Sequence, residues 1–466
     1  MNMTQMSLAM RHGETIAWKD QAKLVVALSI PAVLEQLVMT MMSYIDTAMV
    51  GSLGYLATAS IGVVASTIWL VNGIVNAAAV GFSVQIAQYL GAGREQDSRN
   101  VFCQAIVFNL LFGIALAVLA TVLGQFLPSL LGAEESLRPH ARAYFCTVAM
   151  FLPFSMASAM YSAISRCSGN VLIPSLMNVG MCVLDVIFNA LLIYPTRRIG
   201  GVTVWGAGLG VRGAALGTGL AQAFVGAALL LILVRRRGPM RLRGNESWKL
   251  TRVCMRNALT LATPAALERI TLCLAQIVMT AVVASMGPVS VAANYVAVQT
   301  ESICYLPAYG VAAAATALVG QSIGAGRADM AERFAKLTTA FGFAFVVVTS
   351  VLLFACAPDL TRLLTSEAEV VALSSHVLRI VAFAEPLFAV SIVVIGALRG
   401  AGDGKGPFWI STASMWGIRV ATVLLFTKSF GVVGVWITMA VELSLRGIFF
   451  LVRLLRGRWI KTAALE

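Results

Sequence analysis

The stretch Pro31-Ala-Val-Leu-Glu-Gln36 decides the fold of this chain, because it recurs as Pro264-Ala-Ala-Leu-Glu-Arg269. The two copies are 233 positions apart, from 31 to 264, and the same offset relates the turns Gly91-Ala-Gly-Arg94 and Gly324-Ala-Gly-Arg327. Self-similarity at a fixed offset is the sequence signature of a repeated architecture. The chain is therefore predicted to contain two halves built on one plan.

The two halves lose this register after Pro174. Gly210 corresponds to Gly431 at an offset of only 221 positions. The extra residues of the first half lie in segment 194–205, which is predicted to be a loop.

The composition predicts that both halves lie in a lipid bilayer. Of the 466 residues, 59% are hydrophobic and 12% are charged, and this charged share is about half that of an ordinary soluble domain. The apolar residues form blocks long enough to cross the hydrocarbon core, which takes about 20 residues of helix. The blocks are centred near Met39, Trp69, Leu111, Met156, Val183, Ala223, Gln276, Gly310, Phe345, Val393, Ala421 and Glu442. We therefore predict an all-α polytopic membrane protein of about twelve transmembrane helices, six in each half.

An even number of helices in each half sends both halves into the membrane in the same direction. Two six-helix bundles of this kind are related by a pseudo-two-fold axis along the membrane normal. Carriers with such a plan bind their substrate near the midplane, between the repeats. The duplication therefore favours a transporter that opens alternately to the two sides of the membrane.

The distribution of Lys and Arg predicts the orientation. With the amino terminus in the cytoplasm, most basic residues fall in cytoplasmic segments, including the run 235–256. This asymmetry follows the positive-inside rule, and it accounts for the net charge of +13 without a nucleic-acid partner. Both termini are predicted to be cytoplasmic, in a bacterial inner membrane. The predicted division is an N-terminal lobe 1–234, a basic cytoplasmic linker 235–256 and a C-terminal lobe 257–466.

Carboxyl side chains within the apolar blocks are the candidate functional groups. Each would cost about 2.5–3.5 kcal/mol if it faced lipid at the bilayer centre. These residues are Glu35, Asp46, Asp185, Glu268, Glu301, Glu385 and Glu442. They form either a polar cavity that binds cations or protons, or a set of hydrogen-bonded carboxyls and ion pairs that hold helices together. For Glu442 the ion pair is favoured, because Arg446 lies one turn further along the same helix.

Asp185 and Asn189 carry the most specific signal among these groups. Their spacing of four residues places two oxygen-bearing side chains on one face of the fifth helix. Asp46, on the first helix, lies at a similar depth, and Thr218 of the sixth helix could add a hydroxyl oxygen. Several oxygens suit Na⁺, whereas a buried carboxyl pair can hold a proton instead. The residues alone leave Na⁺, H⁺ and purely structural polar contacts as alternatives.

Four prolines mark positions where helices begin or bend. Pro153 and Pro386, which are equivalent in the repeat, are predicted to lie deep in the fourth and tenth helices and to kink them. Pro31 and Pro264 are predicted to lie in the opening turns of the first and seventh helices, where proline is tolerated.

Several classes of protein are disfavoured by the motifs that the chain lacks. The Gly-Ala-Gly-Arg turns have neither the third glycine of a dinucleotide site nor the Gly-Lys-Ser/Thr of a phosphate-binding loop, so no nucleotide is expected. The eight cysteines show no C-x-x-C pairing and the three histidines are not clustered, so neither a metal nor another cofactor is expected. A membrane prenyltransferase would need aspartate-rich loops, whereas the cytoplasmic loops here are basic. The chain is therefore predicted to be a transporter driven by an ion gradient, not an enzyme.

The motifs together resemble those of the multidrug and toxic compound extrusion family, MATE. They are Pro31-Ala-Val-Leu-Glu-Gln36, Tyr44-Ile-Asp-Thr-Ala-Met-Val-Gly51, Gln88-x-x-Gly-Ala-Gly-Arg94, Val319-Gly-Gln-Ser-Ile-Gly-Ala-Gly326 and Leu398-Arg-Gly-Ala-Gly-Asp403. The resemblance implies a monomeric antiporter of two six-helix bundles that expels organic, often cationic, compounds in exchange for Na⁺ or H⁺. A lipid or oligosaccharide flippase of the same superfamily is the alternative.

The resemblance also implies roles for individual residues. Asp46 matches the aspartate that binds the coupling ion, Asp185 and Asn189 match a pair that supplies further oxygens, and Thr218 matches a neighbouring hydroxyl. In the second lobe, Glu268 and Glu385 are the nearest counterparts of the acidic residues that some members carry. Together with Glu35 and Glu301, these two are predicted to line the substrate cavity.

Overall fold

A computed structural model describes residues 3–12, 14, 16–199, 202–235 and 238–460. Arg236 and Arg237 of the predicted linker, and the last residues 461–466, lie outside this part of the chain.

The described chain is almost entirely helical. The elements of the first half are α1 Met3–Arg11, α2 Trp18–Gly51, α3 Tyr55–Gly91, α4 Glu95–Gly124, α5 Leu127–Leu130, α6 Arg138–Met150, α7 Leu152–Cys167, α8 Leu172–Leu192, β1 Pro195–Ile199, β2 Val202–Ala207 and α9 Val211–Arg235. Those of the second half are α10 Arg252–Ala284, α11 Pro288–Gly324, α12 Ala328–Arg362, α13 Ala368–Ala382, α14 Glu385–Ala401, α15 Lys405–Ser414 and α16 Ala421–Leu455. A π-helical turn, Met415–Val420, joins α15 to α16, and a short 3₁₀ turn, Arg458–Ile460, follows α16.

These helices account for twelve membrane crossings within the described residues. Nine helical stretches are long and apolar enough to cross a bilayer, and two bent pairs, α6 with α7 and α13 with α14, add one crossing each. One of the nine, Lys405–Leu455, has 51 residues. At 1.5 Å per residue it would be roughly 75 Å long, more than twice the hydrocarbon thickness of about 30 Å. This stretch is interrupted at Gly431, where φ is +55°, and therefore supplies two crossings. The predicted all-α polytopic fold is confirmed.

The prolines behave in two different ways. Pro153 and Pro386 each lie in the first turn of the second helix of a bent pair, with bends of 49° and 58°. The predicted kinks are therefore confirmed. The prediction for Pro31 and Pro264 is wrong, because α2 and α10 begin more than three turns before them and both prolines lie inside their helices. Each proline there removes one N–H donor from the helix.

The segment 194–205 was predicted to be a loop, but most of it forms two paired β-strands. Strands β1 and β2 pair antiparallel, with Arg198 opposite Thr203 and Ile199 opposite Val202. Three of the six residues of β2 are β-branched, and such residues favour extended backbone. Where they are described, the extra residues of the first half therefore form paired strands between α8 and α9.

The chain forms two compact units. One consists of Met1–Leu37, Gly91–Gly93 and Thr260–Glu466, and the other of Val38–Leu90 and Arg94–Leu259. We call them the second unit and the first unit, respectively. Helix α2 is shared between them, since the division falls after Leu37. The division into lobes 1–234 and 257–466 with the linker 235–256 stays a prediction.

Each unit has its own apolar core. In the first unit Phe82, Phe102 and Met156 are almost completely buried, and in the second unit Trp436 and Leu378 are. These cores fix the rotation of each helix, and so decide which polar side chains face one another.

The segment that joins α9 to α10 is anchored on the first unit by an acid. Glu246 accepts hydrogen bonds from the backbone N–H groups of Arg243 and Gly244, at 2.7 and 2.8 Å, and lies 3.6 Å from the Arg99 guanidinium of α4. Burial by itself would raise the pKa of Glu246, but these donors and Arg99 hold it below its ordinary value. The basic segment is therefore an ordered structure where it is described.

Candidate functional site

The four residues predicted to bind the coupling ion lie together in the first unit. The amide Nδ2 of Asn189 donates to Oδ1 of Asp46 at 3.0 Å and to Oδ2 of Asp185 at 3.2 Å. Thr218 donates its hydroxyl to the carbonyl of Ala214 at 3.2 Å, and its oxygen lies beside Asp185. One amide thus bridges two carboxyl groups from different helices.

Close packing of α8 and α9 builds this cluster. Asp185 and Asn189 lie one turn apart on α8, as their spacing predicts. A Cβ atom on Gly217 of α9 would collide with Oδ1 of Asn189, and one on Gly213 would collide with the backbone carbonyl of Leu192. Because both positions are glycine, the two helices approach closely enough for Thr218 to lie beside Asp185.

The cluster is largely removed from solvent. Asp185 and Asn189 have only 0% and 1% of their surface exposed, whereas Asp46 is partly exposed. The two carboxyl groups are also adjacent to each other. Two carboxylates at such a distance in a buried site cannot both be ionised without a compensating positive charge. When no other positive charge is nearby, the two carboxyl groups therefore need a bound cation or a proton.

Two oxygens of the cluster lack a hydrogen-bond partner within the described chain. Oδ1 of Asp185 and Oδ1 of Asn189 are buried and have no hydrogen-bond partner among the described residues. A buried acceptor without a partner costs about 1–3 kcal/mol. An ion or a proton held here would remove that cost.

The structure adds one residue that sequence reasoning missed. Tyr144 of α6 lies close enough to Asp46 and Asp185 to interact with their charges. A single tyrosine in a membrane helix has no spacing or motif that distinguishes it, so only the fold reveals this neighbour.

A second acidic cluster lies in the second unit. Glu301 of α11 and Glu385 of α14 are 2% and 0% exposed, and their carboxyl groups are adjacent. Oε1 of Glu301 and both carboxyl oxygens of Glu385 have no hydrogen-bond partner in the described chain. Arg419, in the π-helical turn, lies close enough to Glu301 for their charges to interact. These two acids remain candidates for a binding role.

Two other predicted acids of the second unit, Glu268 and Glu442, are paired. Glu268 accepts from Arg399 at 2.7 Å and from Ser411 at 2.8 Å. Glu442 accepts two hydrogen bonds from Arg446, at 2.8 and 2.7 Å, as expected for the predicted ion pair.

Glu35 of α2 is buried in the same unit. Its predicted role in the substrate cavity, like that of Glu268, stays a prediction. Within the described residues, no three His, Cys, Asp or Glu side chains form a metal-binding group.

Comparison with known proteins identifies the family of this chain. The family model for MatE matches residues 31–191 and 264–425, so its two matches begin at the repeated prolines. The probable multidrug resistance protein NorM of Thermotoga maritima is 26% identical over 451 residues, which cover 95% of this chain and 94% of that protein. The multidrug resistance protein MdtK of Edwardsiella ictaluri is 24% identical, with 95% of this chain and 96% of that protein covered.

Solved structures show the same fold. A crystal structure of the Vibrio cholerae MATE transporter VcmN in the bent form gives a TM-score of 0.85 at 19% identity, over 96% of this chain and 98% of that one. An outward-facing multidrug resistance MATE family transporter of the MOP superfamily gives 0.87 at 20% identity, over 95% and 97%.

Proposed function

Because the chain belongs to the MatE family of membrane transporters, we propose that it exports organic cations in exchange for protons. It is a multi-pass membrane protein and a transporter, not an enzyme. The observation that carries the proposal is the Asn189 amide held between the carboxyl groups of Asp46 and Asp185.

The amide bridge favours H⁺ over Na⁺ as the coupling ion. Asn189 directs its NH₂ group, not its oxygen, at both carboxyl groups. A Na⁺ ion between these carboxylates would need oxygen ligands on every side and would be repelled by the amide hydrogens. A proton on one of the two carboxyl groups needs no such shell, and it removes the repulsion between them.

The unequal exposure of the two aspartates supports exchange with water. Asp46 is partly exposed and Asp185 is completely buried. A proton can therefore enter and leave through Asp46, while Asp185 supplies the second charge that makes the pair hold it.

Organic cations are the proposed substrates for two reasons. Glu301 and Glu385 present unpartnered carboxyl oxygens in the second unit, and relatives of this chain are described as multidrug resistance proteins. The proposed working form is a monomer in a bacterial inner membrane, with both termini and the linker 235–256 in the cytoplasm. The Lys and Arg asymmetry of the sequence supports this orientation.

Transport by the purified protein tests the proposal. Proteoliposomes loaded with a fluorescent organic cation are given a pH gradient in one experiment and a Na⁺ gradient of equal size in another. We expect cation movement against its gradient only with the pH gradient. Movement driven by Na⁺ alone would show that Na⁺ is the coupling ion, and no movement under either gradient would overturn the proposed function.

A further inference from the structure

The second unit contains three buried ionisable groups with unsatisfied atoms in one place. Glu301, Glu385 and Arg419 are 2%, 0% and 8% exposed. Four of their side-chain atoms have no hydrogen-bond partner among the described residues: Oε1 of Glu301, both carboxyl oxygens of Glu385 and Nε of Arg419. Buried charges are normally paired and hydrogen-bonded, because desolvation is costly. A group of this kind therefore points to a ligand that completes it.

The backbone at Arg419 is unusual as well. Arg419 belongs to the π-helical turn Met415–Val420, and the adjoining helices α15 and α16 are α-helical. Single π-helical turns are rare and occur frequently at functional sites. Here the turn carries the only basic residue of that six-residue stretch into the buried interior of the unit.

Arg419 lies close to two acids, Glu442 first and then Glu301. Both oxygens of Glu442 already accept hydrogen bonds from Arg446, and Ser414 donates to one of them at 2.7 Å. Glu442 and Arg446 therefore cancel each other.

The remaining neighbours of the pair on α11 are uncharged, and Arg269 is not among the charges that act on Glu301 or Glu385. Cys304 and Tyr305 lie beside the two acids on α11. Arg269 of α10 lies close to Tyr305.

We infer that Arg419 is a specificity-determining residue that limits the Glu301–Glu385 pair to one positive charge at a time. The inference rests on the proposed function and assigns this pair a substrate class: organic cations with a single charge. Two carboxylates and one guanidinium carry a net charge of −1. One bound proton neutralises the group, and one monovalent organic cation that displaces the proton into water neutralises it equally. A dication would leave an uncompensated positive charge in a buried site, which is unfavourable.

Removal of Arg419 should change the preferred charge of the ligand. The probes are tetraphenylphosphonium, a monocation, and a bis(triphenylphosphonium) dication with a butane linker. Binding of both is measured on purified protein in lipid nanodiscs. Arg419→Gln leaves a net charge of −2, so the ratio of the two affinities should move toward the dication by roughly tenfold or more. Arg419→Lys keeps the charge and should keep the wild-type ratio.

Two further variants keep the test decisive if Arg419→Gln does not fold. Glu385→Gln leaves a net charge of zero and should lose affinity for the monocation. Arg419→Gln combined with Glu385→Gln restores −1 and should regain that affinity. The matched control is Arg362→Gln, which removes a surface positive charge at the end of α12, where Arg362 pairs with Asp359 at 3.3 Å. This control should leave both affinities unchanged.

The outcomes separate the inference from the proposed function. An unchanged affinity ratio in Arg419→Gln, or no recovery in the double variant, would overturn the inference while transport by the wild type still supports the function. If the wild type neither binds nor transports either cation, the proposed function itself is refuted, and the inference with it.

Discussion

The bridge between Asp46, Asn189 and Asp185 predicts that the two aspartates act as one site. Asn189 donates to both carboxyl groups, at 3.0 and 3.2 Å. Substitution of either aspartate by asparagine removes a titratable group and turns a hydrogen bond to a charged acceptor into a neutral one. A hydrogen bond to a charged acceptor contributes about 1.5–3 kcal/mol to stability, and one to a neutral acceptor contributes about 0.5–1.5 kcal/mol. Each single substitution should therefore weaken binding of the coupling ion by about 1.5 kcal/mol, or roughly tenfold.

The double variant distinguishes one site from two. If Asp46 and Asp185 were independent, Asp46→Asn with Asp185→Asn would weaken binding by about 3 kcal/mol, or roughly a hundredfold. If the site holds the coupling proton only when both carboxyl groups are present, either single substitution already removes the site, and the second should add little further loss of coupled efflux to the first. The predicted coupling energy is then about 1.5 kcal/mol, well above the 0.3–0.5 kcal/mol scatter of independent sites.

The assay is coupled efflux in proteoliposomes over a series of imposed pH gradients, with the melting temperature of each variant as a check on folding. The control is Asp97→Asn, which removes a surface acid of α4 that pairs with Arg94 at 2.7 Å. Efflux by the control should match the wild type. A hundredfold loss in the double variant would refute the shared site and move the coupling role toward Glu301 and Glu385.

Three more predictions concern the surroundings of this site and the linker. Gly217→Ala places a methyl group against Oδ1 of Asn189 and should lower stability by about 1–3 kcal/mol and stop coupled efflux. The control Gly180→Ala, where nothing lies within 4 Å, should be neutral. Equal effects of the two substitutions would contradict the packing argument. Tyr144→Phe removes a hydroxyl that lies close to both aspartates and should slow coupled efflux several-fold without lowering the melting temperature. Unaltered efflux would show that the ring serves only in packing. Glu246→Gln should lower the melting temperature at pH 7, and the difference from the wild type should shrink as the pH falls below about 4.5. The reason is that a carboxyl whose pKa is lowered by folding stabilises the folded state only while it is ionised. A difference in melting temperature that persists in acid would assign the effect to something other than the charge.

Much of the fold could be predicted because it depends on local properties of the sequence. Hydropathy over about 20 residues is enough to place a membrane crossing, and the repeat of Pro153 as Pro386 predicted both bent helices. The spacing of Asp185 and Asn189 predicted their common face, since the period of an α-helix fixes it. The position of Pro31 was misjudged because α2 extends well before its apolar block, a boundary that hydropathy does not mark.

The pairing of buried charges was decided only by the tertiary structure. Glu268 and Glu301 look alike in the sequence, since each is a lone acid in an apolar block. The fold pairs Glu268 with Arg399, 131 residues away, and leaves Glu301 beside Glu385 with an unpartnered oxygen. Whether a buried acid is paired or left with an unpartnered oxygen depends on how each helix is rotated about its axis and on which helices become neighbours. Those choices are made by packing of the whole core, so no window of sequence around either residue contains them.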